Sequence, residues 1–101
     1  DNVLKYGDII INQNERSAAV NGEKLELTPT EYLLMVYLLQ NSGRAVSREE
    51  LLRHVWRFET DVDTRATDDV IKRLRKKLKD SAVRITSVWG YGFKLELGEE
   101  N

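Results

Sequence analysis

The stretch Arg65-Ala66-Thr67-Asp68-Asp69-Val70-Ile71-Lys72-Arg73-Leu74-Arg75-Lys76-Lys77-Leu78-Lys79 decides how the rest of the chain is read. At 100° per residue, Thr67, Ile71, Leu74 and Leu78 fall within ~40° of one another on a helical wheel. A helix is therefore expected from Arg65 or Ala66 to Lys79, ended by Asp80-Ser81. Arg65, Lys72, Arg73, Lys76 and Lys79 lie on its opposite side. The segment holds seven Lys or Arg and two acids, a balance of +5. A helix ~10 Å across with a basic outer face matches the width and charge of the DNA major groove. A solvated surface, with basic residues in the last turn complementing the helix dipole, would account for Lys76, Lys77 and Lys79 equally well. The neighbouring elements must arbitrate.

Downstream, Ile85–Val88 and Phe93–Leu97 read as two strands of a hairpin, with Trp89-Gly90-Tyr91-Gly92 as the tip. The tail from Gly98 to Asn101 is polar and should fray. Upstream, residues 57–64 form an acidic loop. Before it, Ser47 with Glu50 three residues on is a capping box, and Leu51, Leu52, Val55 and Trp56 give the following helix an apolar stripe. The short linker Arg44-Ala45-Val46 makes this helix and the one before it a helix-turn-helix candidate. That preceding helix opens on Thr28-Pro29-Thr30-Glu31, a capping box with Pro at the first helical position. The eight apolar residues Tyr32 to Leu39 wrap most of its circumference, so it should be the central helix of the core. Asn41 to Gly43 stop it.

The first 27 residues read as short strands of an antiparallel meander. Asn12-Gln13-Asn14-Glu15 is one turn. Asn21-Gly22 is a second, and both of its residues must accept φ > 0. Lys24 to Leu27 alternate as a half-buried strand does.

The whole chain has 101 residues, enough for one domain, and no repeat. It carries 16 Lys+Arg against 17 Asp+Glu, a net charge of -1, which by itself argues against a nucleic-acid ligand. The residues outside 65–79 carry -6, so the overall balance conceals a strong polarity. There is no Cys, and His54 is the only histidine, so neither a metal site nor a cofactor is expected. His54 reads as a surface residue and Trp56 as a core anchor. Glu49-Glu50, Asp68-Asp69 and Glu99-Glu100 are adjacent, so in a helix their side chains diverge and form no catalytic pair. Ser47 is explained by capping rather than as a nucleophile. No enzymatic constellation is present. No apolar run is long enough to span a membrane. The chain starts at Asp1 without a signal-like segment, and is expected to be an excised, cytoplasmic domain.

Four stretches carry a resemblance: Leu27-Thr28-Pro29-Thr30-Glu31-Tyr32-Leu33-Leu34; Val46 to Leu52 with Val55-Trp56; Ile71 to Leu78; and Ile85 to Phe93. In this order and spacing the chain resembles the DNA-binding effector domain of the OmpR/PhoB family of bacterial response regulators. The resemblance implies an α+β winged helix-turn-helix over residues 1–101. Its parts are an N-terminal four-stranded antiparallel sheet, three helices and a C-terminal β-hairpin wing. It implies a receiver domain, absent from this chain, phosphorylated on Asp by a sensor kinase. It implies double-stranded DNA with direct-repeat half-sites, a second copy bound head to tail, and contact with RNA polymerase through the loop between the second and third helices. In this chain that loop carries Glu59, Asp61 and Asp63. The third helix would enter the major groove and the wing tip the adjacent minor groove.

Carried over residue by residue, Arg73 stands where base edges are most often read, with Lys72 and Val70 beside it. Val70 would offer an apolar contact to a thymine methyl. Arg65, Arg75, Lys76, Ser87 and Arg48 would contact phosphates. The wing tip, Trp89 and Tyr91, departs from the pattern, because Trp89 occupies the usual place of an Arg. Trp89 would pack on the sugar-phosphate edge or a neighbour, or bury itself against the sheet. Asp69 replaces an apolar residue and should repel phosphate or orient Arg73. With only Arg84 and Lys94 near the wing, DNA binding should be weaker and more cooperative than in a fully basic relative. The alternative is a winged helix that binds protein, a polymerase or a second copy, through the acidic loop and the Trp89 wing.

Overall fold

The computed structural model describes residues 2–56 and 65–98. Four strands come first: β1 (Val3–Tyr6), β2 (Ile9–Asn12), β3 (Ser17–Val20) and β4 (Glu23–Leu25). They form an antiparallel sheet in that order. Asn21 (φ 52°) and Gly22 (φ 82°) make the tight turn that brings Val20 opposite Glu23, as the Asn-Gly pair predicts. Ile9, Ile11 and Ala18 are buried, while Ile10 between them is exposed, so the sheet has one core face.

Helix α1 (Pro29–Gln40) has the complete capping box. The Glu31 N–H donates to Thr28 Oγ1 at 3.2 Å, and the Thr28 N–H donates to Glu31 Oε1 at 3.0 Å. Leu34, Met35 and Leu38 are fully buried, the central position that its apolar run calls for. Between α1 and the next helix the chain is not a bare turn. Val46–Ser47 form a short strand, β5, which the linker reading missed. It pairs with β7 (Gly92–Leu97), which pairs with β6 (Val83–Val88), in the order β5-β7-β6. The hairpin wing is therefore anchored next to its tip, at Gly92 and Phe93, by a third strand.

Helix α2 (Arg48–Val55) starts at the N-cap Ser47, whose Oγ accepts the Glu50 N–H at 3.0 Å. The second half of the expected capping box is absent. The Glu50 carboxylate is instead engaged by the Tyr37 hydroxyl of α1 and by Arg44 Nη2 at 2.7 Å. Tyr37 also stacks on the exposed His54, with ring centroids 4.7 Å apart. Trp56 is half-buried against the core. Helix α3 (Arg65–Lys77) stops two residues before the expected Lys79. It buries Thr67, Val70, Ile71 and Leu74, and Leu78 just beyond it is also buried.

The first sheet is locked to the C-terminal half by Asp8. Its carboxylate accepts from Ser81 Oγ at 2.5 Å and from the Ala82 N–H at 2.8 Å. Among the described residues, no helix is long and apolar enough to cross a membrane.

Two predictions follow from this packing. A Cβ on Gly92 would run into the Val46 carbonyl oxygen and Ser47 Cα, both backbone atoms that cannot rotate away. Gly92→Ala should open the β5–β7 pairing and lower the stability measured by urea unfolding by about 1–3 kcal/mol. The hydrogen bonds from Arg44 and Tyr37 hold the Glu50 carboxyl at about 2, against an ordinary 4.5. Between these values the unfolded chain binds the extra proton, so stability rises with pH there. The contribution is fully present above the ordinary value and is lost as pH falls toward the folded one. An acid series of urea midpoints should show this loss, and Glu50→Gln should flatten the series.

Candidate nucleic-acid interface

Helix α3 presents Arg65, Lys72 and Lys76 on the side opposite its buried stripe, with Arg73, Arg75 and Lys77 on its flanks. The stripe sets its orientation. Fully burying a Leu or Ile stabilises by about 1.5–3 kcal/mol, whereas an exposed ion pair contributes less than about 1 kcal/mol. Arg65, Lys72, Arg73, Arg75, Lys76, Lys77 and Lys79 are all exposed to some degree as a result. The environments of Lys72, Arg73, Arg75, Lys76 and Lys77 differ.

Arg75 and Lys77 are tied into the molecule. Arg75 Nε donates to the Ile85 carbonyl at 2.9 Å, and its Nη2 to Ser87 Oγ at 2.9 Å. The residue thus bolts α3 to β6, and its guanidinium approaches the Phe93 ring at 5.8 Å. Lys77 donates to the Glu26 carbonyl at 2.8 Å and pairs with Glu31. Arg48 at the start of α2 behaves likewise. Its Nε meets Asp68 Oδ1 at 3.0 Å, and its guanidinium lies 4.7 Å from the Phe93 ring. Arg75, Ser87 and Arg48, expected at phosphates, therefore form the brace between α2, α3 and the wing.

Lys72 and Lys76 are exposed and make no ion pair or hydrogen bond among the described residues. Arg73 is intermediate. Its side chain is 58% exposed, and its Nε stands 3.4 Å from Oε2 of the buried Glu31. Burial alone would push the Glu31 carboxyl up. The hydrogen bonds from Lys77 and the Thr28 N–H, and the charges of Lys77 and Arg73, outweigh burial and hold it below the usual carboxylate range. In the sequence Glu31 shows only the spacing of a capping residue. Its link to α3 crosses more than forty residues of chain, and no local pattern signals it. Among the described residues Asp69 makes no ion pair with Arg73, and the carboxylate beside Arg73 is that of Glu31.

One expectation needs correction, and one of the alternatives for the wing tip falls. Val70 is 3% exposed and packs in the core, so it has no surface to offer a thymine methyl. The reason is helical spacing: Val70 lies three residues after Thr67 and four before Leu74, and so belongs to the buried stripe. Trp89, in turn, does not bury itself against the sheet. It is 98% exposed, on a turn closed by the Tyr91 N–H to the Val88 carbonyl at 2.9 Å and by Gly90 at φ +72°. Tyr91 is half-exposed beside it. Glu59, Asp61 and Asp63 lie outside the described residues. Among the described residues no group of three or more His, Cys, Asp or Glu is placed to hold a metal ion.

A four-stranded sheet, helices α1 to α3 with α3 basic on its outer face, and a braced hairpin define a winged-helix DNA-binding domain. Residues 22–95 match the sequence profile of the family described as "Transcriptional regulatory protein, C terminal", and the chain belongs to that family of OmpR/PhoB-type response-regulator domains. It is 37% identical over 103 residues to the transcriptional regulatory protein ResD of Bacillus subtilis, covering 98% of this chain and 43% of ResD. The chain thus spans about two fifths of the length of that curated relative. Among solved structures, the AdeR DNA-binding domain in complex with an intercistronic region superposes with a TM-score of 0.82 at 27% identity, over 92% of this chain and 97% of that one. The Klebsiella pneumoniae RstA DNA-binding domain in complex with the RstA box gives 0.82 at 27% identity, over 97% and 98%. The domain is a DNA-binding transcriptional regulator module of a non-enzymatic family.

The split among the cations is measurable. Arg75→Met removes two hydrogen bonds made by a charged donor and should cost about 1.5–3 kcal/mol in urea unfolding. Lys72→Met, one turn away and unbonded among the described residues, should stay within about 0.5 kcal/mol.

Proposed function

We propose that this domain reads double-stranded DNA with α3 in the major groove. Lys72 and Arg73 face base edges, and Arg65 and Lys76 face phosphates. The observation that carries the proposal is the exposed cationic face of α3, which concentrates positive charge on an otherwise acidic chain. The DNA complexes of the AdeR and RstA domains support it. Arg suits guanine, because its planar fork donates to O6 and N7 together. Arg75, Ser87 and Arg48 are assigned a second task at the phosphate backbone, in which the brace also presents them to the duplex. The acidic remainder of the chain restrains indiscriminate binding and steers the basic face toward the duplex.

In the whole regulator, a receiver domain phosphorylated by a sensor kinase would control this module. Two copies would lie head to tail on direct repeats, and the loop bearing Glu59, Asp61 and Asp63 would meet RNA polymerase. The second reading, a protein-binding wing, is favoured by one observation: Trp89 stands fully exposed where a cation would serve DNA better.

Affinity for duplex DNA should fall with salt, with a slope of about -0.9 for each neutralised phosphate. Arg73→Ala should cost about 1–3 kcal/mol on the duplex recovered by selection from a random pool, and relax base preference at one position. A flat salt dependence, with self-association on size-exclusion and no gel shift, would favour the protein-binding reading.

A further inference from the structure

The buried carboxylate under α3 has a consequence for recognition. Glu31 is 1% exposed and sits in the first turn of α1, outside the cationic face itself. Both of its oxygens are committed. Oε1 accepts from the Thr28 N–H at 3.0 Å and from Lys77 Nζ, and Oε2 faces Arg73 Nε at 3.4 Å. Arg73 and Lys77 are four residues apart, so they occupy one side of α3, and a single carboxylate reaches both. A helix cap needs only the contacts between Thr28 and Glu31. Capping alone does not require burying a charge beneath two cations, because taking a carboxylate out of water costs several kcal/mol unless it is paired.

The geometry at Arg73 shows what the pairing can do. Glu31 holds the guanidinium by charge, with its nearest approach at Nε, 3.4 Å away, and no hydrogen bond between them. Among the described residues none of the Arg73 side-chain nitrogens makes a hydrogen bond, so its N–H donors stay uncommitted. These are donors that a planar, two-point acceptor such as a guanine edge can take. Arg75 is the contrast, because its Nε and Nη2 are both spent on β6. An unrestrained arginine loses rotamer freedom when it binds, and one already held by an ion pair to a buried carboxylate loses less.

We propose that Glu31 is a positioning residue for DNA recognition: from within α1 its buried charge holds the exposed Arg73 guanidinium in place, so that its uncommitted N–H donors are presented to a base edge. This rests on the reading of Arg73 as a base contact, and the test separates the two. Affinity is measured for the wild-type chain, Glu31→Gln, Arg73→Ala and the double variant. The probes are the duplex recovered from a random pool and a random-sequence duplex of equal length. Glu31→Gln keeps an acceptor for the Thr28 cap and removes the charge. It should weaken binding to the selected duplex roughly tenfold and leave the random duplex within about twofold. In the Arg73→Ala background it should have almost no effect, because there is then nothing to position.

Equal losses from Glu31→Gln with and without Arg73, or equal losses on both duplexes, would mean a merely structural role and overturn the proposal. If Arg73→Ala bound the selected duplex like wild type, the base-contact reading would fall, and the proposal with it. Should Glu31→Gln not fold, the wild-type protein supplies the decisive measurement. The Arg73 Nε–H vector in nitrogen-15 relaxation should be more ordered than that of Arg53, which is exposed and unbonded among the described residues. Equal disorder at the two would overturn the proposal.

Discussion

The structure depends on the burial of one stripe of α3. Thr67, Val70, Ile71, Leu74 and Leu78 enter the core together, beneath α1 and against the wing sheet. That burial outweighs any single surface ion pair, so it fixes the rotation of the helix about its axis. Once the rotation is fixed, the identity of every outward residue is fixed too. A helix rotated by one residue would turn Val70 outward and draw cations toward the core.

Polar bonds then refine what apolar burial has oriented. Arg75 reaches across to the Ile85 carbonyl and Ser87, so the wing cannot swing independently of α3. Arg48 joins α2 to the same helix through Asp68. Glu31 joins α1 to it through Arg73 and Lys77. Each bond is made by a long side chain with several donors. Each can therefore tie two elements together at one end and keep contact with solvent along its flank. The basic helix is as much the mechanical centre of the domain as its candidate reading head.

Much of the architecture was legible because it is local. Thr28-Pro29-Thr30-Glu31 declares a helix start through bonds that span three residues. Asn21-Gly22 declares a hairpin through the φ values that only a few residue types accept. Strand β5 was not legible. Two residues carry no period, and Val46–Ser47 become a strand only because β7 arrives beside them, with Gly92 allowing the close approach. Glu50 misled for a related reason. It satisfies the spacing of a capping box, but Arg44 and Tyr37 compete for its carboxylate and win.

By itself the sequence determined the order of elements, the caps, the tight turn, the amphipathic third helix and the charge polarity. All of these are written in spacings of a few residues. Only the tertiary structure decided the rest. It placed Val70 in the core, left Trp89 in solvent, and tied Arg75 and Lys77 into the molecule while leaving Lys72 and Lys76 unbonded among the described residues. It also set Glu31 beneath Arg73. Those outcomes turn on which distant segment packs against each side chain. A residue pair such as Glu31 and Lys77, 46 positions apart, meets only after the helices have docked.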